Sequence, residues 1–244
     1  MRVLIGKGDY EEAVKLYLEI VKLQPEACAM YNLGSLYAQG NGVARNFSEA
    51  AYWFRQAALN GEEKAKILET KCMLDYMAED LEEKTPRRLY DDMNYLMRLL
   101  YPKEDNFVKV NENLFALGGH FFNKKDFSAA VKFFRAAGEY GNHGISQNYL
   151  AVLFNAGMGV VQNDLAALYW FDRAVDNNCE EAMADRQGLF KAYCNFSAED
   201  FYDQMTLMCG FCAAGSEDIP KDAEKADYWR TVMEKHLEES GKSE

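Results

Sequence analysis

The first residues whose type and spacing could do chemistry are the two cysteines of Cys209-Gly-Phe-Cys212. A Cys-x-x-Cys pair can exchange thiols when it opens a helix after a strand, and it can bind zinc when a second such pair is present. Here the pair falls late in a predicted helix, and the remaining cysteines have no regular spacing. We therefore predict that the pair serves packing, with no metal site and no disulfide framework.

The histidines and glycine-rich loops do not form a catalytic constellation. His120, His143 and His236 are scattered, without the His-Glu-x-x-His spacing of zinc enzymes. The Gly-x-Gly sequences at 40–42 and 157–159 superficially suggest phosphate binding, but each follows a predicted helix and lacks a third glycine. No Gly-x-Ser-x-Gly nucleophile motif occurs. The sequence predicts no enzyme, no catalytic residue and no cofactor.

The composition indicates helices and a negatively charged surface. Four prolines and seventeen glycines are too few turn-formers for a many-stranded β protein, whereas helix formers recur throughout. A net charge of −12 disfavours binding to nucleic acid and to anionic membrane surfaces. Two explanations of the charge stay open: it steers a basic protein partner, or it simply keeps the protein soluble.

No targeting or membrane segment is predicted. The apolar run at 3–5 is too short for a signal peptide, and no run approaches the roughly 18 residues of a membrane span. We expect a cytoplasmic protein with free thiols and no membrane insertion. Residues 6–10 have the sequence of a turn inside a repeat, so the chain is expected to begin partway through a hairpin, as a truncated N-terminus would.

The chain repeats itself at a constant offset of 117 residues. Residues 31–43 align without a gap on residues 148–160, and residues 50–54 align on residues 167–171. The paired identities include Leu33 with Leu150, Leu36 with Leu153, Gly40 with Gly157, Gly42 with Gly159 and Ala57 with Ala174. So many matches without a gap indicate true internal repeats.

Each copy has the pattern of a helical hairpin. The first helix carries apolar residues at three- and four-residue spacing, and Gly34 within it allows a neighbouring helix to approach closely. Gly40 is a candidate C-cap of that helix. Ser48 and Asp164 lie where the second helix is expected to begin, as N-cap residue types. Trp53 is expected to fill the space between successive hairpins.

The first copy has the layout Leu-Gly-x-Leu-Tyr, then Gly-x-Gly-Val, then Ala-x-x-Trp-Phe-x-x-Ala-Ala. This layout resembles the Sel1-like repeat family, a variant of the tetratricopeptide repeat (TPR) with a longer glycine-bearing loop. The resemblance is close at 27–61 and 145–179, although Ala151 stands where the family prefers glycine. It implies an all-α fold, a right-handed α–α superhelix (solenoid) of antiparallel helical hairpins with twelve or thirteen helices. We expect one array over 1–244: a partial repeat at 1–25, Sel1-like repeats at 26–61 and 143–179, a divergent helical pair at 62–107, a TPR-like hairpin at 108–142, an extra helix at 180–197, and a degenerate Sel1-like copy with the C-terminal tail at 198–244.

The resemblance also implies functions. Related proteins are adaptors or scaffolds, so the leading hypothesis is that a partner protein segment binds along the concave face formed by the first helix of each hairpin. A first alternative is an acidic inhibitor or immunity-type protein that sequesters a basic enzyme or toxin. A remote one is β-lactam binding or hydrolysis, which cysteine-rich members show. The paired cysteines of those members are absent here, because Ala57 and Ala58 occupy the region expected for the partner of Cys28.

The non-core positions of the first helices are the candidate partner-binding residues. Tyrosine provides contact area at low entropic cost, and asparagine both donates and accepts hydrogen bonds. The alternative is that these positions are simply solvated helix faces. The candidates are Tyr31, Asn32, Ser35 and Gln39 in one copy, and Asn148, Tyr149 and Val152 at the 117-residue offset.

Overall fold

In a computed structural model of the protein, the residues described are 9–240, the side chain of Ser240 excepted. Within that range the chain forms twelve α-helices and no strand. The helices are α1 (Tyr10–Leu23), α2 (Ala27–Gln39), α3 (Phe47–Leu59), α4 (Ala65–Ala78), α5 (Pro86–Leu100), α6 (Phe107–Asn123), α7 (Phe127–Arg135), α8 (Gly144–Ala156), α9 (Asp164–Asp176), α10 (Ala182–Cys194), α11 (Ala198–Ala214) and α12 (Ala223–Ser240). A π-helical segment, Ala136–Tyr140, continues α7. The all-α repeat fold and the predicted number of helices are confirmed.

The chain divides into two compact units, residues 1–110 and 111–244. Within each unit, helices that follow one another in sequence also pack against one another, which is the nearest-neighbour packing of a repeat protein. In the second unit a continuous core runs from Ala130 to Trp229. The single array over 1–244 stays a prediction, and most of the turn predicted at 6–10 lies outside the described residues.

Asparagines begin the second helix of both matched hairpins. The side chain of Asn46 accepts a hydrogen bond from the backbone N–H of Glu49, and that of Asn163 accepts one from Ala166. The prediction that Ser48 is an N-cap was wrong, because Ser48 already lies inside α3 and donates its hydroxyl hydrogen to Asn46 Oδ1 at 2.9 Å. Asp164 is likewise the first residue of α9, not its cap.

The glycine-bearing loop of each of these two hairpins packs against the start of the second helix of the preceding hairpin, α1 or α7. Gly42 and Gly159 have positive φ angles of 73° and 76°. A Cβ atom on Gly42 would lie 2.4 Å from the carbonyl carbon of Tyr10, and one on Gly159 would lie 2.4 Å from that of Phe127. Only glycine allows this approach, which is why the Gly-x-Gly sequence recurs at the 117-residue offset.

The second helix of three hairpins carries the same aromatic pair. In each pair a tyrosine ring meets the next tryptophan edge-on, with centroids 5.1–5.2 Å apart. The pairs are Tyr52–Trp53, Tyr169–Trp170 and Tyr228–Trp229. Trp170 and Trp229 are fully buried, whereas Trp53 is partly exposed. The predicted packing role of the tryptophan is therefore fulfilled most completely in the second unit.

Candidate functional site: an apolar cavity beside α8

One face of α8 leaves large apolar side chains open to solvent. Ile145, Tyr149 and Val152 are 46%, 36% and 36% exposed. Together with Asn148 they occupy positions i, i+3, i+4 and i+7, so they form one stripe along the helix. The opposite face of α8 is buried in the core. Three of these four residues are among those predicted from sequence.

This stripe forms one wall of a cavity of about 330 Å³. Phe115 and Phe122, seven residues apart on α6, form a second wall, and Cys179 and Glu181, just before α10, form a third. We call this the α8 cavity. Because its walls come from α6, α8 and the chain leading into α10, it lies on the face formed by the first helices of successive hairpins.

An aromatic cluster holds Tyr149 in place at the cavity. Its ring centroid lies 5.6 Å from that of Phe115, 5.8 Å from that of Phe122 and 5.1 Å from that of Phe134. Rings at these separations attract one another beyond their area of contact. The cavity wall is therefore fixed before any partner arrives.

One residue that lines the α8 cavity has an unsatisfied hydrogen-bond acceptor. Asn148 Oδ1 is buried and has no hydrogen-bond partner within the described part of the chain. A buried acceptor without a donor costs free energy, so an N–H or O–H group that reached this oxygen would remove that cost.

Glu181 is the charged residue of the α8 cavity. Its carboxylate accepts a hydrogen bond from Cys179 Sγ, with the sulfur and oxygen 3.3 Å apart. Its own backbone N–H and that thiol hold the pKa of the carboxyl below its usual value, so Glu181 is ionised at neutral pH. Burial, with the nearby Glu181, raises the pKa of the Cys179 thiol. This thiol is therefore protonated and a poor nucleophile.

His143 lies next to the aromatic cluster as a neutral ring. Its centroid is 5.5 Å from that of Phe115, and its Nδ1 lies 2.8 Å from the hydroxyl of Ser146. Burial lowers the pKa of His143, although the nearby Glu112 opposes that shift. The cavity region therefore has carboxylates but no protonated imidazole at neutral pH.

The corresponding face of α2, in the first unit, has different chemistry. The residues at the 117-residue offset are Cys28, Tyr31, Asn32 and Ser35, and they contact one another. Asn32 donates its side-chain N–H to Cys28 Sγ, and the Ser35 hydroxyl donates to the Tyr31 carbonyl at 3.1 Å. Gln39 is exposed and accepts a hydrogen bond from Asn41 at 2.9 Å. The four candidates on α2 thus lie on a mostly polar face.

The sequence analysis did not identify five of the eight residues that line the α8 cavity. Ile145 could have been found, because it continues the helical spacing of Tyr149 and Val152. Phe115 and Phe122 could have been flagged as two phenylalanines seven residues apart on one helix face. Their meeting with α8 depends on tertiary packing, which no local pattern in this chain reports.

The comparisons with known proteins identify the repeats. The family model described as Sel1 repeat matches residues 29–62, 117–142 and 144–179. Three segments of the chain therefore match the Sel1 repeat. The first and third matches fall on the two copies predicted at 26–61 and 143–179. The second falls inside 108–142, predicted as TPR-like, so the Sel1 pattern extends to a hairpin with a shorter loop.

Two solved structures of Sel1-type proteins resemble the chain weakly. A protective antigen of uropathogenic Escherichia coli with an SLR fold is 19% identical, with a TM-score of 0.35; the match covers 93% of this chain and 49% of that one. A Sel1 repeat protein from Oxalobacter formigenes is 22% identical, with a TM-score of 0.29, over 91% of this chain and 76% of that one. The chain thus spans about half the length of the first protein. No curated protein matches it.

The α8 cavity lies on the second and third Sel1 repeats, since its phenylalanine walls and its α8 stripe belong to α6 and α8. Phe122, Ile145, Asn148, Tyr149, Val152 and Cys179 all fall within the matched ranges. The cavity is therefore a feature of the repeat array itself.

The Cys-x-x-Cys pair lies elsewhere, on α11. Both thiols are free, and burial raises the pKa of Cys212 to about 12. Its sulfur lies 3.9 Å from that of Met208 inside the core, where a thiol acts as a small apolar group.

Among the described residues, no group of three or more His, Cys, Asp or Glu side chains is placed to hold a metal ion. In the same range, no helix is both long and apolar enough to cross a bilayer.

A second cavity, of about 430 Å³, is lined by paired charges from α9, α10 and α12. Buried Asp172 contacts Arg186 Nε at 2.6 Å and also contacts Lys225, which in turn contacts Asp176. We call these four residues the ionic cluster. Because its two cations and two carboxylates satisfy one another, we assign it a structural role in holding α12 to α9 and α10.

Proposed function

We propose that this chain is a protein–protein interaction adaptor that holds a segment of a partner protein in the α8 cavity. The observation that supports the proposal is the preformed opening between α6 and α8, with partly exposed apolar walls and a buried acceptor that no described residue satisfies. Open apolar surface with a few polar groups is the usual anatomy of a recognition site. Sel1 repeat proteins are typically interaction scaffolds, which agrees with this assignment.

The proposal makes α8, not α2, the main contact helix. Both helices carry predicted binding residues at the same repeat positions. On α2 the polar groups bond to one another, so a partner would have to break those bonds before making its own. On α8 the exposed side chains are apolar, and burying them is favourable by about 25 cal/mol per Å². We therefore assign Tyr31, Asn32, Ser35 and Gln39 a secondary role.

The proposed role needs no catalysis. Cys179, the thiol that lines the α8 cavity, is kept protonated by burial and by Glu181. The free cysteines suit a reducing compartment, so we propose that the adaptor works in the cytoplasm. The partner is proposed to be a protein, without nucleic acid or membrane insertion.

The test is affinity capture from a native lysate with three versions of the chain. Val152→Ser places on α8 the residue that α2 carries at the equivalent position, and Val161→Ser, at an exposed loop position outside the cavity, is the matched control. We expect the wild type and Val161→Ser to retain the same partner, identified by mass spectrometry, and Val152→Ser to lose it. Equal capture by Val152→Ser would overturn the assignment of the site.

A further inference from the structure

We propose that the α8 cavity selects a peptide segment carrying one bulky apolar side chain next to a lysine or arginine. This inference rests on the proposed function and adds the chemistry of the partner. Three features of the cavity support it: apolar walls, a buried acceptor and a carboxylate at one edge.

The walls require an apolar side chain. Five of the eight lining residues are aliphatic or aromatic: Ile145, Tyr149 and Val152 on one side, and Phe115 and Phe122 on the other. The volume of about 330 Å³ is at the small end of the range for whole small-molecule sites. It suits one large side chain inserted from a longer chain, in the manner of an interface anchor.

The acceptor requires a donor beside that side chain. Asn148 lies about one turn from both Ile145 and Val152 and lines the same cavity, and its buried Oδ1 has no hydrogen-bond partner among the described residues. A backbone N–H of an extended peptide is the donor that always accompanies a side chain at this distance. This pairing favours a peptide over an isolated hydrocarbon ligand.

The carboxylate sets the charge of the neighbouring residue. Glu181 is the charged residue that lines the cavity, and it is ionised, whereas burial lowers the pKa of nearby His143. The chain as a whole carries −12, which repels acidic segments and attracts basic ones at long range. A lysine or arginine next to the anchor would meet Glu181 directly.

The test is a selection from random twelve-residue peptides displayed on phage. Phage that bind the Val152→Ser variant are removed first, and phage that bind the full chain are then collected and sequenced. We expect the enriched sequences to share an aromatic or large aliphatic residue within two positions of a lysine or arginine. A synthetic peptide of the consensus should lose affinity by about tenfold or more when the anchor becomes alanine, or when the basic residue becomes glutamate. N-methylation of the anchor amide should weaken binding similarly, because it removes the donor to Asn148.

Two variants of the protein complete the test. Glu181→Gln should abolish the preference for lysine over glutamate while keeping the preference for the anchor. Val161→Ser should bind the peptide like the wild type, since Val161 is exposed and lies outside the cavity, and thermal unfolding of each variant shows that it is folded. A consensus that is acidic or lacks an apolar anchor overturns the inference, as does the absence of any Val152-dependent peptide. Either result leaves the proposed function standing if lysate capture still depends on Val152, so the two failures are distinguishable.

Discussion

At the scale of single residues, the 117-residue offset places the same residue type in different surroundings. Trp170 is fully buried and donates its Nε1–H to the carbonyl of Asp218 at 3.0 Å. Trp53, at the equivalent position, is partly exposed, and its Nε1 has no hydrogen-bond partner among the described residues. The two tryptophans thus share a repeat position but not an energetic role.

We expect Trp170→Ala to lower the free energy of unfolding by about 3–5 kcal/mol, as large core truncations do. Trp53→Ala should cost less, because less of its surface is removed from water and no hydrogen bond is lost. Urea titration followed by circular dichroism measures both. A loss below about 1 kcal/mol at Trp170 would contradict the placement of the repeat core.

His143 gives the stability a distinct pH dependence. Burial lowers its pKa in the folded chain, so folding favours the neutral ring. The contribution of His143 is therefore complete above the unfolded pKa of about 6.5, and it is lost as the pH falls through the lower folded pKa. The stability of the wild type relative to His143→Gln should decrease as the pH is lowered from about 7 to 5. Parallel stability curves for the two proteins would contradict this, since the carboxylates are common to both.

At the scale of helices, two adjacent glycines of α6 have opposite roles. A Cβ atom on Gly118 would lie 2.6 Å from the ring of Phe134, so this glycine lets α6 and α7 approach. A Cβ on Gly119 would meet nothing within 4 Å. Because both lie within the same helix, they separate the effect of close packing from that of helix propensity.

Gly118→Ala should destabilise the fold by about 1–3 kcal/mol through overpacking. Gly119→Ala should stabilise it by about 0.5–1 kcal/mol, because alanine is the better helix former. Thermal unfolding of the two single variants provides the comparison. Changes of the same sign at both positions would contradict the close approach seen at Gly118.

The helices also show how much could be predicted from the sequence. Repeat identity and hairpin pattern followed from the offset alone, because glycines and apolar spacing are local signals. The N-caps were misplaced, although Asn46 and Asn163 obey the same offset as the glycines. In the α8 cavity, the residues on α8 could be predicted because their helical spacing is a local signal of the sequence. The walls formed by Phe115 and Glu181 could not, because their position depends on tertiary packing. That packing explains why equal positions on α2 and α8 have different chemistry.

At the scale of the whole molecule, a net charge of −12 contrasts with balanced charges in the interior. In the ionic cluster, Asp172 and Lys225 are buried and each touches two opposite charges. Removing one member of such a cluster leaves the other buried without compensation, which is far more costly than losing a surface pair. The excess negative charge therefore belongs to the surface, where it is free to act on partners.

Lys225→Met keeps the length of the side chain and removes its charge, so it tests the ionic cluster directly. We expect a loss of about 3–5 kcal/mol in the free energy of unfolding, because Asp172 then keeps only Arg186. The matched control is Lys235→Met. Lys235 forms an exposed pair with Glu239 at 4.0 Å, which is expected to contribute no more than about 1 kcal/mol.

The pKa of Lys225 is raised by its carboxylate partners against the opposing effect of burial. Its contribution is therefore complete below the unfolded lysine pKa and is lost as the pH rises through the still higher folded pKa. The difference between the wild type and Lys225→Met should accordingly persist at neutral pH and shrink only in strong alkali. If Lys225→Met and Lys235→Met cost the same, the buried cluster does not hold α12 to α9, and its internal charge balance has no structural consequence.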